Sequence, residues 1–113
     1  MEIQARKEGP VTVVELAGDL DTNTAPEAQE QILPLVEDGS RLLLDVSRVP
    51  YMSSAGLRVM LSLYRRVASQ NGELVLVGLS EEIRDTMEVT GFLGFFSTCQ
   101  TYEAGLATLQ EQG

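Results

Sequence analysis

The stretch Leu42–Arg58, LLLDVSRVPYMSSAGLR, constrains this chain more than any other. Leu42-Leu43-Leu44 ends in an acid, Asp45. An apolar run without alternation suits a strand buried on both faces rather than a sheet with one wet side. A short loop follows, and then Ser53 and Ser54 stand at the mouth of a segment with helical periodicity. That order puts a hydroxyl at a helix N-terminus, where backbone N–H groups lack intrahelical acceptors and the dipole favours an anion. Two roles are open to Ser54 there. It can cap the helix, a position serine strongly prefers, or it can carry a phosphate.

The flanking sequence repeats the alternation of strand and helix. Ile3–Lys7 and Val11–Ala17 read as strands of a hairpin joined by Glu8-Gly9-Pro10. Gly18–Asn23 reads as a loop. Thr24-Ala25-Pro26-Glu27 matches a capping box, with Thr24 as cap. Ala25, Ala28, Ile32, Leu35 and Val36 form one face of the helix it opens; Gly39 ends that helix, and Pro34 marks a kink or an early end. Arg41–Asp45 is the central strand. After Ser54, the face Leu57, Met60, Leu61, Tyr64, Val67 and Ala68 points inward, Arg58, Arg65 and Arg66 lie off it, and Asn71-Gly72 closes the helix. Leu74–Val77 is a second buried strand. Ser80 caps a helix to about Thr90, stopped by Gly91. Phe95–Cys99 reads as the last strand and a final helix starts at Tyr102, while Phe92, Phe95 and Phe96 read as closing the core. The 113 residues, 43% hydrophobic, suit one domain spanning 1–113 with a true core. The expected fold is α/β, a mixed, mostly parallel sheet of about four to five strands packed with about four helices. Functional loops in such sheets lie beyond the carboxyl ends of the strands, which selects Gly18–Asn23 and Val46–Ser54.

The chemistry available is narrow. There is no histidine, so Ser–His–Asp and Cys–His mechanisms and histidine metal ligation are absent. Lys7 is the sole lysine and lies far from Ser54 in sequence. Cys99 is the sole cysteine, which rules out an intramolecular disulfide and a thiolate metal cluster within one chain. No glycine-rich phosphate loop is present. Asp19 and Asp21 are too few for a dedicated cation site and read as turn formers. A net charge of −9 repels nucleic acid and anionic membranes and attracts a basic protein surface. A polar N-terminus and the lack of a membrane-length apolar run make the cytoplasm the expected location. A receiver-type phosphoaspartate at Asp45 fails because the second half of the chain has no lysine and no acidic pair follows a first strand.

Gly18-Asp19-Leu20-Asp21, Leu42-Leu43-Leu44-Asp45 and Tyr51-Met52-Ser53-Ser54-Ala55-Gly56-Leu57-Arg58, taken together, resemble the STAS domain of bacterial anti-sigma factor antagonists over nearly the whole chain. The resemblance implies a small mixed sheet packed against helices, and a regulator without catalysis or cofactor. Members of that family bind an anti-sigma factor that is also a serine kinase, and so release a sigma factor. The kinase phosphorylates a serine at the helix start and a phosphatase reverses it. The phosphoacceptor position falls on Ser54, two residues before Gly56; the position before it, often Asp in the family, is Ser53 here. The partner surface implied comprises Asp21, Asp45, Ser53, Ala55, Gly56, Leu57 and Arg58. Within it, Gly56 would admit a partner's backbone for want of a side chain. Arg58 has two readings, a contact to a partner or a nearby phosphate and a solvated helix arginine, and Asp21 has a second reading as an Asx-turn residue. A monomer or weak dimer is expected. The alternative is a STAS module that is never phosphorylated, such as a scaffold or a lipid-transport subunit.

Overall fold

A computed structural model describes residues 1–110. The chain opens with the hairpin β1 (Glu2–Glu8) and β2 (Val11–Ala17), paired antiparallel from Glu2↔Ala17 to Glu8↔Val11, so that Gly9 and Pro10 alone make the turn. Helix α1 (Ala25–Ile32), strand β3 (Arg41–Arg48), helix α2 (Ser54–Ser69) and strand β4 (Glu73–Val77) follow. Helix α3 (Glu81–Val89), strand β5 (Ser97–Cys99) and helix α4 (Tyr102–Gln110) complete the described chain. The sheet runs β1-β2-β3-β4-β5, with β2 to β5 mutually parallel. The expected mixed, mostly parallel α/β sheet is therefore what forms. Any continuation of the last helix past Gln110 lies outside the described residues.

The uniform Leu42-Leu43-Leu44 run occupies the middle strand because both of its faces are covered. Leu42, Leu44 and Val46 pack with Ala28 and Ile32 of α1, Met60 and Leu63 of α2, and Ile83 and Met87 of α3. Leu43 faces the other way, with Val11, Val13, Val75, Val77 and Leu109 of α4. Three helices thus cover one face and α4 the other. At the outer strand, Arg6 donates to Glu15 at 2.9 Å and to Glu8 at 3.3 Å, and its guanidinium lies 5.3 Å from the centre of the Tyr102 ring. Hydrogen bonding to Glu15 is the main reason its pKa lies above the ordinary arginine value.

Several local expectations are corrected. Thr24 does not close a capping box. Its backbone is helical (φ −99°, ψ −18°), its hydroxyl donates back to the Asp19 carbonyl at 2.8 Å, and no side-chain cap forms. The first helix ends at Ile32, tightens into a 3-10 turn over Leu33–Leu35 around Pro34, and is finished before Gly39 is reached. Strand β3 runs three residues past the expected end at Asp45, to Arg48. The last strand loses Phe95 and Phe96 to a 3-10 turn, Leu93–Phe95, and its trailing residue. The inward face of α2 is Gly56, Leu57, Val59, Met60, Leu63 and Val67, while Leu61 and Tyr64 are half-buried and Ala68 is exposed. Apolar residues cover so much of this helix that periodicity alone does not centre the face; contact with the sheet and α1 does. Phe92 and Phe96 pack against the core, but Phe95 is 49% exposed and rests its ring 5.6 Å from that of Tyr64.

Candidate functional site

Two connections meet at the carboxyl edge of the sheet. Past the formal end of β2–β3 pairing, the chains stay zipped. Gly18 N–H donates to the Arg48 carbonyl at 3.0 Å, Leu20 N–H to the Tyr51 carbonyl at 3.0 Å, and Ser53 N–H to the Leu20 carbonyl at 2.9 Å. Leu20 and Met52 form a parallel bridge, and both side chains are buried. The Gly18–Thr24 loop is therefore fastened along the Val49–Ser53 loop, and the start of α2 is seated where they meet.

The serine pair divides its labour. Ser53 is the N-cap: its backbone is extended (φ −82°, ψ 176°) and its hydroxyl accepts from Gly56 N–H at 3.3 Å, while its carbonyl accepts from Leu57 N–H at 2.9 Å. Ser54 is the first helical residue and is exposed. The capping role open to Ser54 in the sequence thus belongs to its neighbour. Among the described residues the Ser54 hydroxyl has no hydrogen-bond partner, and the N–H groups of Ser54 and Ala55 have no acceptor. The first turn carries no acidic side chain, so the positive end of the helix faces solvent uncompensated.

Gly56 and Leu57 serve the interior rather than a visiting backbone. Gly56 is buried, and a Cβ there would stand 2.6 Å from the Leu20 carbonyl oxygen and 2.7 Å from Met52 Cγ. Its lack of a side chain lets α2 press on its own loop, which corrects the expectation that it admits a partner. Leu57 is 5% exposed and belongs to the core. Ala55 is half-buried against that core, and Arg58 is exposed.

The two acids part company. Asp21 is half-buried beside the site, and its Oδ1 accepts from the N–H groups of Asn23 at 2.9 Å and Thr24 at 3.1 Å. That is an Asx turn, and it shapes the loop against which Ser53 sits. Asp45 pairs with Glu15 and Val77 in register with Leu43, on the α4 side of the sheet, and its Oδ1 accepts from Ser47 Oγ at 2.7 Å. Asp45 therefore does not join Ser54 on the α2 side. Tyr51, absent from the sequence candidates, is 52% exposed next to the site. With Pro50, Met52, Leu57, Glu82, Ile83 and Thr86 it lines a hollow of about 50 Å³ between the loop and α3. A bulky aromatic in a Pro-flanked loop was the available signal for it, and no periodic face drew attention there.

Among the described residues no group of histidine, cysteine and acids is placed to hold a metal ion, and no helix is long and apolar enough to cross a membrane. What the arrangement offers is an exposed hydroxyl at a helix start seated on a fastened loop, with an exposed aromatic and an exposed arginine close by in sequence.

Comparison with known proteins accords with this geometry. Residues 2–105 match the family model of the STAS domain. The chain is 33% identical over 93 residues to the anti-sigma-B factor antagonist of Bacillus subtilis, covering 82% of this chain and 85% of that protein. Its fold superposes with a TM-score of 0.86 on the crystal structure of an anti-sigma factor antagonist from Mycobacterium paratuberculosis, at 24% identity over 96% of this chain and 93% of that one. It also superposes on the Bacillus antagonist SpoIIAA at 18% identity. The unphosphorylated form gives a TM-score of 0.80, over 97% of both chains. The phosphorylated form gives 0.71, over 96% of this chain and 99% of that one. By this domain match and the identity with the Bacillus subtilis antagonist, the chain belongs to the STAS-domain anti-sigma factor antagonist family, a group of regulators that are not enzymes.

Proposed function

We propose that this protein, when unphosphorylated, binds an anti-sigma factor that is also a serine kinase and thereby frees a sigma factor, and that phosphorylation of Ser54 ends the interaction until a serine phosphatase restores it. The observation that carries this reading is the split between the serines: Ser53 caps α2, which leaves Ser54 exposed and unengaged at the helix start. The family relationship supplies the class of partner. SpoIIAA, of the same fold, exists in a phosphorylated form.

The energetics suit a switch. A phosphate adds about −1.5 to −2 charges. At a helix N-terminus that charge is favourable by about 0.3–1 kcal/mol, so the fold tolerates it. The penalty falls on the complex, through bulk and charge set in the middle of the docking surface. A 100-fold loss of affinity requires only about 2.7 kcal/mol. The surface proposed is Tyr51, Ser54 and Arg58 with the hollow beside α3, flanked by the Asp21 loop. Ser53, Gly56 and Leu57 hold that surface in shape, and Ala55 forms its floor.

Binding to the cognate anti-sigma factor, measured by calorimetry, tests the reading. Wild type and Ser54→Ala are expected to bind alike, and protein carrying phosphoserine at position 54 at least 100-fold more weakly. Equal affinity for all three would refute the switch and favour a scaffold that is never phosphorylated.

A further inference from the structure

We infer that Arg58 is the intramolecular partner of a phosphate on Ser54, a positioning residue that folds the modification back along α2. This rests on the phosphoserine reading above and assigns a regulatory part to a side chain outside the modified residue. Ser54 opens α2 and Arg58 follows four residues later, so the two share one helical face with Cβ atoms about 5–6 Å apart. Both are exposed. Helical side chains lean towards the N-terminus, which aims the guanidinium at the turn that bears Ser54. Among the described residues Arg58 has no ion-pair or hydrogen-bond partner; the ion pairs found there are made by Arg6.

A phosphate at Ser54 therefore meets donors from two directions. The N–H groups of Ser54 and Ala55 are unengaged on one side. On the other stands a planar cation whose forked donors match phosphate oxygens in pairs. The consequence for regulation is double. One event would add an anion to the docking surface and withdraw a cation from it, because the guanidinium is then occupied. It would also hold the phosphate in one orientation over the first turn of α2, rather than leaving it free to swing away from an approaching partner.

Other charges surround the position. Asp21 lies on the fastened loop, Glu82 on α3 across the hollow, and Arg48 at the end of β3, whose carbonyl accepts from Gly18. The acids raise the second pKa of a phosphate at Ser54, and the arginines lower it. Arg58 alone among them is tied to Ser54 by helical register.

The test is a ³¹P NMR titration of the whole chain with phosphoserine genetically encoded at position 54. The Arg58→Gln form should titrate about 0.3 pH unit above wild type, the size expected of one helical ion pair at this spacing. Arg58→Lys should fall between them, and Arg48→Gln should shift the midpoint by clearly less than Arg58→Gln does. Amide spectra of each form establish that the fold is kept. Equal midpoints for wild type and Arg58→Gln would overturn the assignment. So would an Arg48→Gln shift as large as that of Arg58→Gln, because the effect would then be a diffuse field. Since the phosphate is installed during synthesis, a null titration counts against Arg58 alone, whereas absence of phosphate in cells counts against the switch.

Discussion

Replacing Gly56 with alanine probes the joint on which the site depends. The added Cβ would lie 2.6 Å from the Leu20 carbonyl oxygen and 2.7 Å from Met52 Cγ. Met52 is a flexible side chain and can yield. The Leu20 carbonyl cannot yield cheaply, because it accepts from Ser53 N–H at 2.9 Å while Leu20 N–H is held by Tyr51. Overpacking of this kind costs about 1–3 kcal/mol. Loosening the Leu20–Ser53 bond adds about 1 kcal/mol. The better helix propensity of alanine returns about 1 kcal/mol. The net expectation is a destabilisation of about 1–3 kcal/mol, read as a lower urea midpoint at unchanged slope. Gly94 is the control: nothing lies within 4 Å of a Cβ built there and its φ is not positive, so Gly94→Ala should stay within about 0.5 kcal/mol of wild type. A Gly56→Ala protein as stable as wild type would refute the close seating of α2 on the Leu20 loop.

Three further outcomes are expected. Ser53→Ala should cost about 1 kcal/mol by urea denaturation through loss of the cap, whereas Ser54→Ala should change stability by less than about 0.5 kcal/mol. Leu63→Ala should cost about 2–5 kcal/mol, and Ala68→Glu should be near neutral, because α2 buries the first position and exposes the second. Ser54→Glu should fold as wild type by circular dichroism yet bind the anti-sigma factor less tightly than Ser54→Ala, since the helix start tolerates an anion that the interface does not.

Strong local signals in the sequence survived into the structure. Leu42-Leu43-Leu44 announced a central strand because both faces had to be apolar, and Ser80 and Gly91 bounded α3 because capping chemistry is local. The Ser80 hydroxyl accepts from Ile83 N–H at 3.2 Å, as its position foretold. Thr24 carried the same kind of signal and failed, because Asp21 organises the preceding turn and draws the threonine hydroxyl back to Asp19. The inward face of α2 was displaced because Val59 and Leu63 compete with Leu61 and Tyr64 around the same helix. Within the site, the order of the sequence put Ser54 at the start of α2 and Arg58 off its apolar face, and both are exposed there. The burial of Gly56 against Leu20 was invisible, since it depends on a contact between segments far apart in sequence. Asp45 was placed on the partner surface by the family resemblance, and the two-residue period of the strand turns it to the face opposite α2.

The most direct measurement is to purify the protein from its native cells and map phosphate by tandem mass spectrometry. Cleavage after Arg48 and Arg58 yields one peptide, Val49–Arg58, that holds both serines, and its fragment ions separate Ser53 from Ser54. Phosphate on Ser54, removed by phosphatase treatment, is the expected result. Phosphate on Ser53 instead, or a peptide that stays unmodified across growth conditions, would contradict the switch and leave Ser54 as an unmodified surface serine.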